Sequence, residues 1–94
     1  MVEEHLRDAI SSHVARLLKE VRVKQKFSLK RLSKKAGLAR QTITFIEQEV
    51  QSPSLDTLLR IAFALNVDLT KIVGLAYRRA KMEATQLAKK SGKP

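Results

Sequence analysis

A glycine at position 37 separates two short runs of helical spacing, and this punctuation constrains the fold more than any other feature of the chain. Upstream, Ser28 is a good N-cap type, and Leu29, Leu32 and Ala36 follow on one helix face at i, i+3 and i+7. Gly37 stands where a helix end wants positive φ without a Cβ penalty. Leu38 is the apolar plug of the turn, and a second helix starts near Arg40. In that helix Ile43 and Ile46 point inward, while Gln41, Thr44, Phe45 and Gln48 form the opposite, uncharged stripe. A helix lying in a DNA major groove needs such a stripe: amides and hydroxyls for base edges, with cations nearby for phosphates. Amphipathic hairpins with a glycine turn also occur in small all-α domains that bind no nucleic acid, so the rest of the chain has to decide.

Charge is the second constraint. Nineteen Lys and Arg against nine Asp and Glu give a formal net charge of +10. The excess is clustered: Arg16, Lys19, Arg22, Lys24, Lys26, Lys30, Arg31, Lys34, Lys35 and Arg40 are opposed in that span by Glu20 alone. Such a field attracts a polyanion. Anionic lipid is the rival target, but the apolar faces are those a core needs, which favours nucleic acid. No apolar run approaches a membrane span, and the opening Met-Val-Glu-Glu-His does not have the pattern of a signal peptide. There is no cysteine, hence no disulfide or thiolate metal site, which suits a reducing cytoplasm.

Along the chain, Val2 to Lys24 reads as a first long helix with Leu6, Ile10, Val14, Leu17, Leu18 and Val21 on its core face. Its first two turns exceed what a compact core needs and either extend outward or meet a second subunit. His5 and His13, eight residues apart without a third ligand, read as surface or edge residues rather than a metal site. Phe27 closes the following loop as a core residue. After the second and third helices comes a polar loop ending at Pro53, which blocks further helix. Ser54 caps a fourth helix with Leu55, Leu58, Ile61, Ala62 and Leu65 inward, and Asp68 caps a fifth. Nothing breaks the fifth helix before Gly92: Leu69, Ile72, Val73, Ala76, Tyr77, Ala80 and Leu87 continue one apolar side. This stretch is either a solvated tail or a dimer arm, and the arm is favoured because exposed apolar stripes tend to find partners. The segment 88–94 reads as a frayed basic tail.

Together these residues resemble the Cro/repressor (XRE) family of helix-turn-helix domains. The resemblance runs from about Val14 to Val73, two-thirds of the chain. It is carried by Leu17…Val21-Arg22, Phe27-Ser28…Leu32, Gly37-Leu38-Ala39-Arg40-Gln41-Thr42-Ile43 and Ile46-Glu47, and by the stretch from Pro53 to Val67. It implies an all-α, five-helix lambda-repressor-like bundle, here with an extended C-terminal helix, whose third helix enters the major groove, usually as a homodimer on a palindromic operator. Residues 1–13 are then an N-terminal extension of helix 1, 14–73 the helix-turn-helix DNA-binding domain, and 74–94 a C-terminal helical arm and basic tail. The resemblance implies base reading by Arg40, Gln41, Thr44 and Phe45, and phosphate contact at Ser28, Lys30, Ala39, Gln51 and Ser52. It also implies a structural ion pair between Arg22 and Glu47.

Two departures stand out. The family usually has Ser or Thr at the position of Ala39, to cap the reading helix and often to touch a phosphate, and an alanine side chain does neither. It usually has Asn-Gly after Ile-Glu, where this chain has Gln48-Glu49, so the helix exit is expected to turn less sharply, with Glu49 facing DNA unfavourably. Phe45, where a polar residue is common, either contacts thymine methyls or packs on a neighbour. The sequence holds no nucleophile–base arrangement, glycine-rich phosphate loop or metal-ligand cluster, so neither an enzyme nor a cofactor is expected. The expected function is a homodimeric repressor or autoregulator; an antitoxin that binds a toxin protein and represses its own operon is the rival.

Overall fold

The structure, a computed structural model, describes residues 2–91, with side chains over 3–87. Five helices follow one another without a strand among the described residues: α1 Val2–Lys24, α2 Leu29–Ala36, α3 Arg40–Glu47, α4 Leu55–Ala64 and α5 Leu69–Ser91. Residues 92–94, part of the expected tail, lie outside the described residues; the backbone of 88–91 continues α5.

The caps explain where the helices begin. Ser28 Oγ accepts from the Arg31 amide at 3.0 Å, and Ser54 Oγ from the Thr57 amide at 3.1 Å. At the start of α5, Asp68 Oδ1 accepts from both the Thr70 hydroxyl and its amide, which holds the carboxyl below its ordinary range. The ends of α1 to α4 share one device. Each is followed by a residue in the left-handed region, Lys26, Gly37, Glu49 and Asn66, at φ between 57° and 69°. The next residue, Phe27, Leu38, Val50 or Val67, then donates its amide to the carbonyl five positions back. The exit of α3 is therefore as sharp as the others, contrary to the expectation drawn from the missing Asn-Gly. Glu49 takes φ +61° without glycine, a strain of about 1 kcal/mol for an L-residue.

Val14, Leu17 and Leu18 from α1, Leu32 and Ala36 from α2, Ile43 and Ile46 from α3, and Ile61, Ala64 and Leu65 from the α4 region make one core. Fully burying each large aliphatic side chain is worth about 1.5–3 kcal/mol. α1 and α5 form the largest interface and run antiparallel. Gln25 Nε2 donates to the Leu65 carbonyl at one end, and His13 meets Glu83 at the other. Ala76 and Ala80, one turn apart and fully buried, let the helix axes approach closely. The whole molecule is elongated, 53 × 21 × 19 Å along its principal axes.

Three expectations change. The face of α5 reserved for a dimer partner is largely covered by the same chain: Leu69, Ala76 and Ala80 are buried, and Ile72 and Val73 pack against the core. Tyr77 and Leu87 stay exposed. His13 is buried rather than at the surface, its Nε2 3.0 Å from Glu83 Oε2 but without hydrogen-bond geometry. Leu55, expected inward, is 66% exposed: it opens α4, two turns before the buried Ala62 on the same face, at the end of the helix rather than over the core.

One polar joint crosses the bundle. Arg22 Nε and Nη2 donate to the two Glu47 carboxylate oxygens at 2.6 and 3.1 Å, and Arg22 Nη1 donates to the Phe27 carbonyl at 2.7 Å. Both side chains are about nine-tenths buried, with 12% and 11% of their surface exposed. Removing one partner strands the other charge away from water. Glu47→Gln or Arg22→Met should each lower unfolding free energy by about 3–5 kcal/mol in urea titrations, with the slope unchanged.

Candidate nucleic-acid interface

The candidate surface is built on α3 and on the N-terminal end of α2. Leu32, Ile43 and Ile46, each at most 3% exposed, anchor the two helices, and Gly37 makes the turn between them at φ +69°. A Cβ on Gly37 would also stand 3.3 Å from Nη1 of Arg60, so the turn is closely covered from α4. With Ile43 and Ile46 fixed inward, the helical repeat turns Gln41, Thr44, Phe45 and Gln48 to the opposite face, with Arg40 on its flank.

Arg40 and Gln41 are exposed. Thr44 is half-buried, and its hydroxyl donates to the Arg40 carbonyl at 3.1 Å, leaving its oxygen free to accept. Phe45 is half-buried, while its carbonyl accepts the amides of Val50 and Gln51 as the helix ends. Its ring therefore belongs partly to the fold and partly to the surface. Ser28 and Lys30 are exposed at the start of α2, and Gln51 and Ser52 in the loop after α3. Ala39 starts α3 with extended backbone and no side-chain cap.

The charges divide into used and unused cations. Arg22 is committed to Glu47, and Arg16 donates to Glu49 through Nε at 3.0 Å. That bond pulls the Glu49 carboxyl below its ordinary range and raises Arg16. The stabilisation is present above the ordinary carboxylate range and disappears as pH falls through the depressed value. At 54% and 31% exposure the pair contributes less than about 1 kcal/mol. It also turns the Glu49 carboxylate to α1. Arg31 sits 4.1 Å and Lys35 5.3 Å from the centre of the Phe27 ring, over its face, so an aromatic ring supports part of the basic helix. Neither α2 nor α3 has an acidic residue in its first turn, so both positive helix ends stay uncompensated.

Sequence reasoning missed the Arg16–Glu49 contact, which joins residues 33 positions apart, and the stacking on Phe27. The second had a readable cue in the aromatic followed four and eight residues later by cations. Among the described residues no group of His, Cys, Asp or Glu is arranged to hold a metal ion, and no helix is long and apolar enough to cross a membrane.

Comparison with known proteins converges on the same segment. Residues 18–72 match the family model described as helix-turn-helix. Over 61 residues, 65% of the chain, the sequence is 36% identical to the immunity repressor protein of Bacillus phage phi105. The matched segment spans 42% of that relative, so less than half of its length. No solved structure matches.

The bare start of α3 yields a direct test. Ala39→Ser supplies the missing acceptor at a position whose backbone, φ −68° and ψ 143°, already suits a cap. It should raise unfolding free energy by about 1 kcal/mol, measured by urea denaturation.

Proposed function

The chain belongs to the helix-turn-helix family, of the Cro/repressor (XRE) type, and on that basis we propose that it is a sequence-specific DNA-binding transcriptional regulator. It acts as a homodimeric repressor or autoregulator on a palindromic operator. The observation that carries the reading is the outer face of α3: Gln41 exposed beside Arg40, Thr44 able to accept, and the neighbouring carboxylates Glu47 and Glu49 paired with Arg22 and Arg16. The name of the phage relative, an immunity repressor protein, supports repression as the outcome.

In this reading residues 14–73 form the DNA-binding unit, while 2–13 and 74–91 continue α1 and α5 beyond it. α3 lies in the major groove. Gln41 offers its amide donor and acceptor to adenine N6 and N7. Arg40 forks onto guanine or holds a phosphate, Thr44 accepts from a base edge, and Phe45 covers a thymine methyl. Ser28, whose oxygen accepts from Arg31, retains its proton for a phosphate. Lys30 supplies charge, Gln51 and Ser52 supply polar groups, and Ala39 brings the open N-terminus of α3 up to the backbone.

Two experiments test this. If about six of the uncommitted cations meet phosphates, the logarithm of affinity should fall with the logarithm of salt at a slope near −5, and Lys30→Ala should reduce that slope by about one without altering base preference. A slope near zero would remove the electrostatic half of the proposal. Gln41→Ala should cost about 1–3 kcal/mol on the preferred operator and less on operators changed at one symmetric base pair, with the melting temperature almost unmoved. Equal loss on every sequence would make Gln41 a backbone contact.

A further inference from the structure

The outer face of α4 carries the least expected surface of the molecule. Leu55 and Phe63 are 66% and 72% exposed, with the half-buried Leu59 between them. At spacings of four residues the three form one stripe, turned away from the buried Ile61, Ala64 and Leu65 and bordered at Leu55 by the buried Ala62. One flank of the stripe holds Asp56 and Arg60, whose side chains are 75% and 50% exposed and which pair within the helix at 2.8 Å. An apolar row with a charged flank, on a short helix whose opposite side is fully used by the core, is the form of a contact surface rather than of scattered exposure.

We propose that this face joins two copies of the chain, α4 packing antiparallel on α4 about a two-fold axis near Leu59. The charges identify the occupant. In an isologous contact residue i meets j and j meets i. Antiparallel packing brings Leu55 of one copy against Phe63 of the other and Leu59 against itself. The same operation carries each Asp56/Arg60 flank onto its counterpart in reverse order, so Asp56 of each copy faces Arg60 of the other. The flanks meet, and complement each other, only in this orientation; a parallel two-fold arrangement would place them on opposite sides of the contact. The proposal takes the homodimer of the preceding reading and names its surface, one that α5, occupied by α1, does not supply.

Sedimentation equilibrium of the full chain without DNA, over a concentration series, tests it. Phe63→Lys should weaken self-association about tenfold or more. Asp56→Arg and Arg60→Asp should each weaken it too, since each places like charges across the contact. The decisive sample is an equal mixture of those two charge-reversed chains. One now carries two positive flank residues and the other two negative, so a one-to-one heterodimer should form although neither chain associates well alone. Loss of the helical pair within one chain or poor folding cannot produce that rescue. A wild-type dimer unaffected by all three substitutions would overturn the surface and leave the homodimer standing. A wild type that stays monomeric throughout would overturn both, while base readout by Gln41 would be judged separately by DNA binding.

Discussion

The geometry of the candidate surface depends on the joint between Arg22 and Glu47. Three otherwise separate pieces end there: the last turn of α1, the loop at Phe27, and the last turn of α3. The planar guanidinium engages both carboxylate oxygens and still reaches a carbonyl, a geometry a lysine could not reproduce. Hydrophobic packing of Ile43 and Ile46 holds α3 to the core but tolerates sliding and rotation. A bidentate bond admits one orientation. The pair therefore fixes the rotation of α3, and with it the direction in which Gln41 and Thr44 face. Such a buried pair contributes less to net stability than its loss would suggest, since desolvating both charges opposes their attraction.

Around this joint the chain economises on loop. Four helices end in a left-handed residue followed by an amide that reaches five positions back, so the next element starts within a few residues. Only one of the four residues is glycine. At Glu49 the conformation is held with help from Arg16, on a helix distant in sequence, and the contact also draws a carboxylate away from the basic surface. Local strain and surface electrostatics are coupled there. The helical rod of α1 and α5 adds a second brace, closed at one end by the Gln25 amide on the Leu65 carbonyl.

Much of this was legible from local signals. Ser28, Ser54 and Asp68 announce helix starts through side chains that reach backbone amides two or three residues on, and Gly37 announces the turn. The outward stripe of α3 follows from Ile43 and Ile46 by periodicity alone. What escaped was set by distant partners. The Glu49 carboxylate is taken by Arg16 of α1, His13 is buried because α5 folds back over it, and the arm face is covered for the same reason. Leu55 and Phe63 were misjudged or passed over because periodicity identifies an apolar helix without showing how wide its buried face is. On α4 that face is narrower than the apolar pattern.

The central claim is that α3 reads sequence, with two copies acting together. It is tested most directly by selecting bound duplexes from a random pool and sequencing them. A palindromic motif should emerge whose half-sites are centred about one helical turn, or 34 Å, apart, bound about 10³-fold or more tightly than random duplex at the same salt. Recovery of unenriched sequence despite tight, salt-sensitive binding would contradict the claim and reduce the protein to a binder of phosphate backbone alone.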